Sequence, residues 1–334
     1  MEYILNESPY KTTNNFKINN IKVDIDIPTI EDIKRFENKN IKQEIINNSL
    51  DNKIGLPINK YLNIDMNLDY SKEVLEYSFD KDNSSLIANI NISIKEHTVN
   101  EIYLILKSID DSNHFSFINI NTSLKDTSLN LTVINLLNKN SNSFISYNNK
   151  VDKKSLLINN HLDIGGNIKV NNYYSELIGE YSDNIINTLY LGKDNNILDY
   201  NYHIKSISPY STSNIRTEGI LDDESYKQHK GIIDFIEGSY KSKGEELENC
   251  LLLSDKAISK SSPLLMCHEE DVEGSHGVST GKIDKDKLFY LMSRGYDLKE
   301  AKKIIIHANF NKIIGSILDT DIRNMITNYI DNVI

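Results

Sequence analysis

Apolar and polar residues alternate with a period of two through the middle of the chain. Residues 86–94 read LIANINISI, residues 115–120 read FSFINI, and residues 129–137 read LNLTVINLL. Residues 101–106, EIYLIL, are read as part of the same series, and runs of similar texture recur at 167–170, 188–191 and 231–236. Side chains of a strand point to opposite faces in turn, so this alternation predicts half-buried strands. Asn, Asp, Ser and Gly fall between the runs, where turns are expected. No helical period interrupts the stretch from about 70 to 270, which disfavours βαβ units. Two all-β solutions remain, a sandwich or a solenoid. Many short strands recurring every few tens of residues favour the solenoid.

The period changes at both ends. Near the N-terminus, Ile30, Ile33, Phe36 and Ile41 fall near helical spacing, with Pro28 and Thr29 placed to start the helix. Beyond about 284, Leu288, Leu291 and Met292 fit the apolar face of a helix capped by Asp284 and stopped by Gly295. Asp297 and Glu300 stand in capping-box spacing ahead of Ala301, Ile304, Ile305 and Ala308. Ile313, Ile314, Ile317 and Leu318 suggest a third helix. Ile322, Met325, Ile326, Tyr329 and Ile330 suggest a last one, starting near Asp319 or Asp321. The expected organisation is an N-terminal helical or irregular region over 1–65, a β core over 66–283, and a helical region over 284–334.

Composition adds mainly exclusions. Hydrophobic residues make up 39% and charged residues 25% of the chain, as in ordinary globular proteins. A net charge of −11 without any Lys/Arg cluster argues against a nucleic-acid partner. No apolar run is long enough to span a bilayer, and the first ten residues lack a secretory pattern, so a cytoplasmic location is expected and no membrane partner. The two cysteines, Cys250 and Cys267, are too few for a disulfide framework or a four-thiolate cluster site. No Gly-x-x-x-x-Gly-Lys-Ser/Thr loop is present, so the chain is not itself a P-loop ATPase.

Residues 251–295 read LLLSDKAISKSSPLLMCHEEDVEGSHGVSTGKIDKDKLFYLMSRG. Their elements are the Leu-Leu strand at 251–257, Ser262-Pro263-Leu264, Glu270-Asp271-Val272, Ser275-His276-Gly277, Gly281-Lys282-Ile283-Asp284, and 288–295. In this order they resemble the C-terminal signature of the SufB/SufD family of iron–sulfur cluster assembly proteins. Upstream, Ser211-Thr212-Ser213, Gly219-Ile220-Leu221-Asp222 and Gly231-Ile232-Ile233 continue the likeness, which covers roughly 209–315. The resemblance implies a mainly β fold, a right-handed parallel β-helix (solenoid) core with helical N- and C-terminal regions. It implies a scaffold subunit rather than an enzyme, with a SufC-type ATPase docking on the C-terminal helices. It also implies a SufB-type subunit as heterodimer partner, or a second copy as homodimer partner. The iron–sulfur cluster would form transiently at the interface with the SufB-type subunit.

SufB-like members carry a cysteine just before the Leu-Leu element and a Glu-His-Glu run where this chain has Ser275-His276-Gly277. The Ser-His-Gly form resembles SufD. His276 is therefore the expected metal ligand at the cluster site, since a neutral imidazole suits iron. Aligned on the Leu-Leu element, the SufB-type cysteine falls near Glu248. Cys250, two residues later on the same strand face, is the second cluster-binding candidate, although a small buried hydrophobe is the plainer expectation for it. Cys267 and His268 are adjacent, so a strand would turn them to opposite faces and keep them from sharing a metal. Arg294 is expected to pair with a carboxylate, and His307 to be a surface residue. Two other functions compete with the SufD-like scaffold. A SufB-like homodimeric scaffold is disfavoured by the missing glutamates, and a carbohydrate-active β-helix enzyme by the absence of a secretory pattern.

Overall fold

The computed structural model describes residues 2–10, 17–28 and 58–334. The helix expected from Pro28-Thr29 onward lies outside the described residues. Sixteen strands, from β3 (Lys60–Met66) and β4 (Tyr70–Phe79) to β17 (Ile258–Cys267) and β18 (Glu273–Lys282), form a parallel β-solenoid. Odd-numbered strands make one eight-stranded sheet and even-numbered strands the other, so each turn of chain adds one strand to each. All pairings within the two sheets are parallel and in unbroken register.

Three apolar layers hold the fold. The first fills the space between the sheets, and its composition changes along the axis. Ile90, Ile92, Leu104, Ile118 and Leu131 fill the early turns. Tyr147, Tyr173, Tyr190, Tyr200 and Tyr202 fill the middle, with Tyr147–Tyr173 and Tyr190–Tyr200 ring centroids 5.2 and 5.6 Å apart. The middle also buries a carboxylate, Asp163. It accepts hydrogen bonds from His161 Nε2 (3.0 Å), Asn171 Nδ2 (2.6 Å), Asn135 Nδ2 (3.1 Å) and the Tyr200 hydroxyl (3.1 Å). Burial opposes its ionisation, but His161, Lys169 and Asn135 hold the carboxyl at about 2.

The second layer covers the outer face of the even-numbered sheet. Helices α1 (Lys285–Ser293), α2 (Leu298–Ile314) and α3 (Thr320–Val333) follow the last strand. Ile306, Phe310, Ile313 and Ile314 of α2 and Ile322, Ile326 and Ile330 of α3 pack on Tyr103, Ile134, Leu162, Leu189 and Ile220. Asp284, Asp297 and Asp319 are the N-caps, and the Asp297–Glu300 capping box is closed in both directions. Gly295 follows α1 at φ +101°, a conformation a side chain would strain. The sequence suggested separate helices around 301–310 and 313–318. They are one 17-residue helix to Ile314, because nothing between Phe310 and Ile313 breaks the backbone ladder.

The third layer covers the odd-numbered sheet. Antiparallel strands β1 (Glu2–Leu5) and β2 (Ile21–Asp24) bring Leu5, Ile21, Val23 and Ile25 onto Ile87, Phe117, Phe144 and Val170. Both ends of the chain thus pack along the solenoid's sides, leaving the last turn to end the stack.

Candidate functional site

The last turn is where the sequence motif and the fold meet. β18 pairs with β16 (Lys243–Leu252) and β17 with β15 (Tyr226–Phe235), and among the described residues neither β17 nor β18 has a neighbour on its other edge. Two ten-residue strands therefore present open backbone edges side by side. Such edges are templates for further strand pairing.

Register decides which side chains point into this end. Gly274 of β18 faces Leu265 of β17, since a Cβ on Gly274 would lie 2.6 Å from the Leu265 side chain. His276, two residues on, shares that inward register. It is exposed only because no turn lies above it. Cys267 pairs with the inward-facing Phe235, whereas His268 reaches Asp234 on the outer face (3.6 Å). The two residues do lie on opposite faces.

Below His276 the interior is charged. Its register partner on β16 is Glu246, followed along the strand on the same inward face by Glu248 and Cys250. Across from them stand Lys227, His229 and Gly231 of β15. Lys227 Nζ pairs with Glu248 Oε1 and donates to Ser261 Oγ (2.9 Å), with both ion-pair side chains wholly buried. His229 Nδ1 lies 3.6 Å from Glu246 Oε1 and 3.5 Å from Glu248 Oε2, and none of these three atoms has a hydrogen-bond partner. The Glu246 carboxyl occupies space that only glycine leaves free, because a Cβ on Gly231 would come within 1.9 Å of it.

The two glutamates are driven apart in protonation. Burial and the Glu248 charge push Glu246 up to about 8, so it is a neutral acid at pH 7. Burial opposes the ionisation of Glu248, yet the Lys227 ammonium holds it below its ordinary value. Burial pushes His229 down to about 4, so the imidazole is neutral. Burial also pushes the Cys250 thiol up, and Cys250 contacts the side chains of Tyr190 and Ser259.

These shifts carry a pH signature. Folded Glu246 keeps its proton between its ordinary value of 4.5 and about 8, so stability falls with rising pH across that window. Folded His229 lacks its proton between about 4 and its ordinary 6.5, so its contribution is lost as pH falls through that window. The two oppose each other below 6.5 and leave Glu246 alone above it. From pH 6.5 to 8, urea unfolding of the native chain should lose about 2 kcal/mol more than that of Glu246→Gln, at ~1.4 kcal/mol per pH unit. Equal losses would mean that Glu246 ionises as an ordinary carboxylate.

The other residues singled out in the sequence lie elsewhere. Arg294 caps α1 with its guanidinium over the Tyr290 ring, 5.2 Å from the centroid, where the sequence suggested a carboxylate partner. His307 of α2 bonds Asp331 of α3 through Nε2 (3.0 Å). Among the described residues no group of three or more His, Cys, Asp or Glu side chains is arranged to hold a metal ion, and no helix is long and apolar enough to cross a membrane. Sequence reasoning missed Lys227, His229 and Glu246. Their signal was a set of charged residues spaced by two, which only the register distinguishes from a solvated face.

Known proteins are similar to parts of this chain in sequence. The family model described as "SUF system FeS cluster assembly, SufBD core domain" matches residues 77–309. The chain is 27% identical over 163 residues to the iron-sulfur cluster assembly protein SufD of Escherichia coli, covering 49% of this chain and 38% of that protein. It is 26% identical over 153 residues to SufD of Bacillus subtilis, covering 46% and 35%. A SufBD family protein of Pyrococcus horikoshii is 37% identical over 90 residues, 27% of this chain and 20% of that one. The matches thus span well under half the length of these relatives. With the family model covering most of its length, most of the solenoid and the C-terminal signature included, this chain belongs to the SufBD family of iron–sulfur cluster assembly proteins and is SufD-like.

Proposed function

We propose that this chain is a non-catalytic, cytoplasmic SufD-type scaffold subunit. It pairs through its last solenoid turn with a SufB-type subunit and is coupled to a SufC-type ATPase. The iron–sulfur cluster, as cargo, forms transiently at that interface, with His276 as a ligand supplied by this chain. One observation carries the reading: the solenoid ends in two open strand edges, and His276 sits in the inward register between them. An edge of this kind accepts a partner's strands by continuing the backbone ladder, which would enclose His276 at the junction.

Two further features support it. The helix after the solenoid presents apolar side chains to solvent. Phe289 is 74% exposed, with Tyr290 and Met292 of α1 and Tyr296 and Leu298 beside it also exposed. Single exposed apolar residues need no explanation, but a cluster on one short helix suits a docking partner such as the ATPase. Ser275 and Gly277 flank His276 in place of carboxylates, and the relatives named above include two SufD proteins, which favours the heterodimer over a pair of identical chains. Cys250 has the weaker claim as a ligand, because its register partner on the last turn is Thr280, four residues along the strand from His276, and it packs against the side chains of Tyr190 and Ser259.

The test is anaerobic co-purification of the chain with SufB-type and SufC-type subunits, native against His276→Ala, with iron and sulfide measured after reconstitution. The complex should assemble in both cases, while cluster content in the variant falls by about tenfold. Unchanged content would make His276 structural. Failure of the native chain to assemble would overturn the proposed partners.

A further inference from the structure

We propose that Glu246 is a second iron-binding group of this chain, a carboxylate that joins His276 in a half-site completed by the partner subunit. The proposal rests on the reading of His276 given above. Glu246 and His276 are directly paired residues of adjacent parallel strands, and both side chains take the inward face. Strands lie about 4.8 Å apart, and metal bonds to nitrogen or oxygen run near 2 Å, so one ion fits between two such neighbours.

The carboxyl is free for that task. Glu246 is 1% exposed, and its Oε1 has no hydrogen-bond partner. Glu248, its neighbour on the same face, is already committed to Lys227 and is the poorer donor. A buried polar atom without a partner costs free energy and calls for an explanation. The Gly231 niche that accommodates this carboxyl makes the feature specific to Glu246.

The layer above leaves the approach open. Beside His276, the inward positions of β18 are Gly274, Val278 and Thr280, and those of β17 nearest Glu246 are Ser261 and Pro263. None of these carries a charge or a strong metal ligand. One imidazole and one carboxylate are too few to retain iron alone, in keeping with the absence of a ready three-ligand group among the described residues. Remaining ligands must come from the facing subunit and from sulfide. Oxygen and nitrogen donors of this kind suit ferrous iron.

The experiment uses the complex of this chain with its SufB-type and SufC-type subunits, reconstituted anaerobically with ferrous iron and sulfide. Iron release to a chelator and Mössbauer spectra are compared for native, Glu246→Gln, Glu246→Asp and His276→Ala. Glutamine replaces a neutral carboxyl at nearly equal volume, and a circular-dichroism melt checks that folding is retained. Glu246→Gln should assemble normally yet release iron on the order of tenfold faster, with the spectrum of one iron site altered. Aspartate should restore part of the retention, which a purely structural role would not predict. Native retention and spectrum in Glu246→Gln, with loss in His276→Ala, would overturn the role of Glu246 and leave His276 standing. Loss in Glu246→Gln with none in His276→Ala would keep Glu246 and overturn the reading of His276. Native behaviour in both variants would overturn both.

Discussion

Replacing Lys227 with methionine should cost the folded chain about 3–5 kcal/mol, because it strands the Glu248 carboxylate inside the solenoid. Both partners of this ion pair are wholly buried, and among the described residues Ser261 is the only other group to which the ammonium donates a hydrogen bond. Methionine keeps the length of the aliphatic stem, so the loss reports charge rather than packing. The stranded carboxylate would escape part of the cost by taking up a proton, so the deficit should be larger at pH 8 than at pH 6. Adding Glu248→Met to Lys227→Met should recover most of the loss, since an apolar pair of similar volume is often neutral or better. Denaturant unfolding of both single variants and the double variant measures this directly. A Lys227→Met cost below about 1 kcal/mol, typical of an exposed pair, would mean that water reaches the interior at this turn.

The strands that could be read most clearly in the sequence are those with one polar face. In LIANINISI, Asn89 and Asn91 lie on the outside, where they bond to other asparagines of the sheet, while Ile90 and Ile92 point into the core. Alternation fails in EIYLIL, because Ile102, Leu104 and Leu106 face the core while Tyr103 and Ile105 lie under the C-terminal helices. A strand covered on both sides loses its period and reads only as an apolar run. The middle of the solenoid adds a second difficulty. It places Asn, His, Asp and Tyr inside, where hydrogen bonds replace apolar contact, so polarity no longer reports exposure.

His276 could be singled out as a candidate from a short motif of fixed order, which needs no register. The charged cluster beneath it could not. In β16 the usual relation is inverted: Leu247 is 41% exposed, while Glu246 and Glu248 on either side of it are each 1% exposed. A one-residue shift in register exchanges the two faces of a strand, and no local propensity chooses between them here. What fixes the choice is the stacking of turns, in which Gly231 makes room for Glu246 and Lys227 meets Glu248. Those contacts join residues of different strands and different sheets, so no window of sequence contains them. For Cys250 the strand, the face and the expectation of a small buried side chain were legible, and its place one turn below the open end came only from the register.

Glycine carries the other large effect. Replacing Gly219 with alanine should cost about 3 kcal/mol, near the upper end of overpacking penalties in a closed core. The Tyr190 ring lies flat over this glycine, and an added Cβ would fall 1.9 Å from Cζ and 2.1 and 2.2 Å from the two Cε atoms. Relief requires the whole ring to move. The ring is fully buried, packs on Tyr200 at 5.6 Å between centroids, and has the Lys227 ammonium 5.8 Å from its own centroid. Displacing it would disturb both the tyrosine layer and the charged layer next to the open end. Tyr190→Val alone should also destabilise by a few kcal/mol, by leaving a cavity. Because the two positions compete for one space, the double variant should be clearly more stable than the sum of the single losses, with a coupling of about 1–3 kcal/mol. Additive losses in denaturant unfolding would show that the ring does not rest on Gly219. The expected coupling would establish that a single close backbone approach sets the packing that supports the last turn.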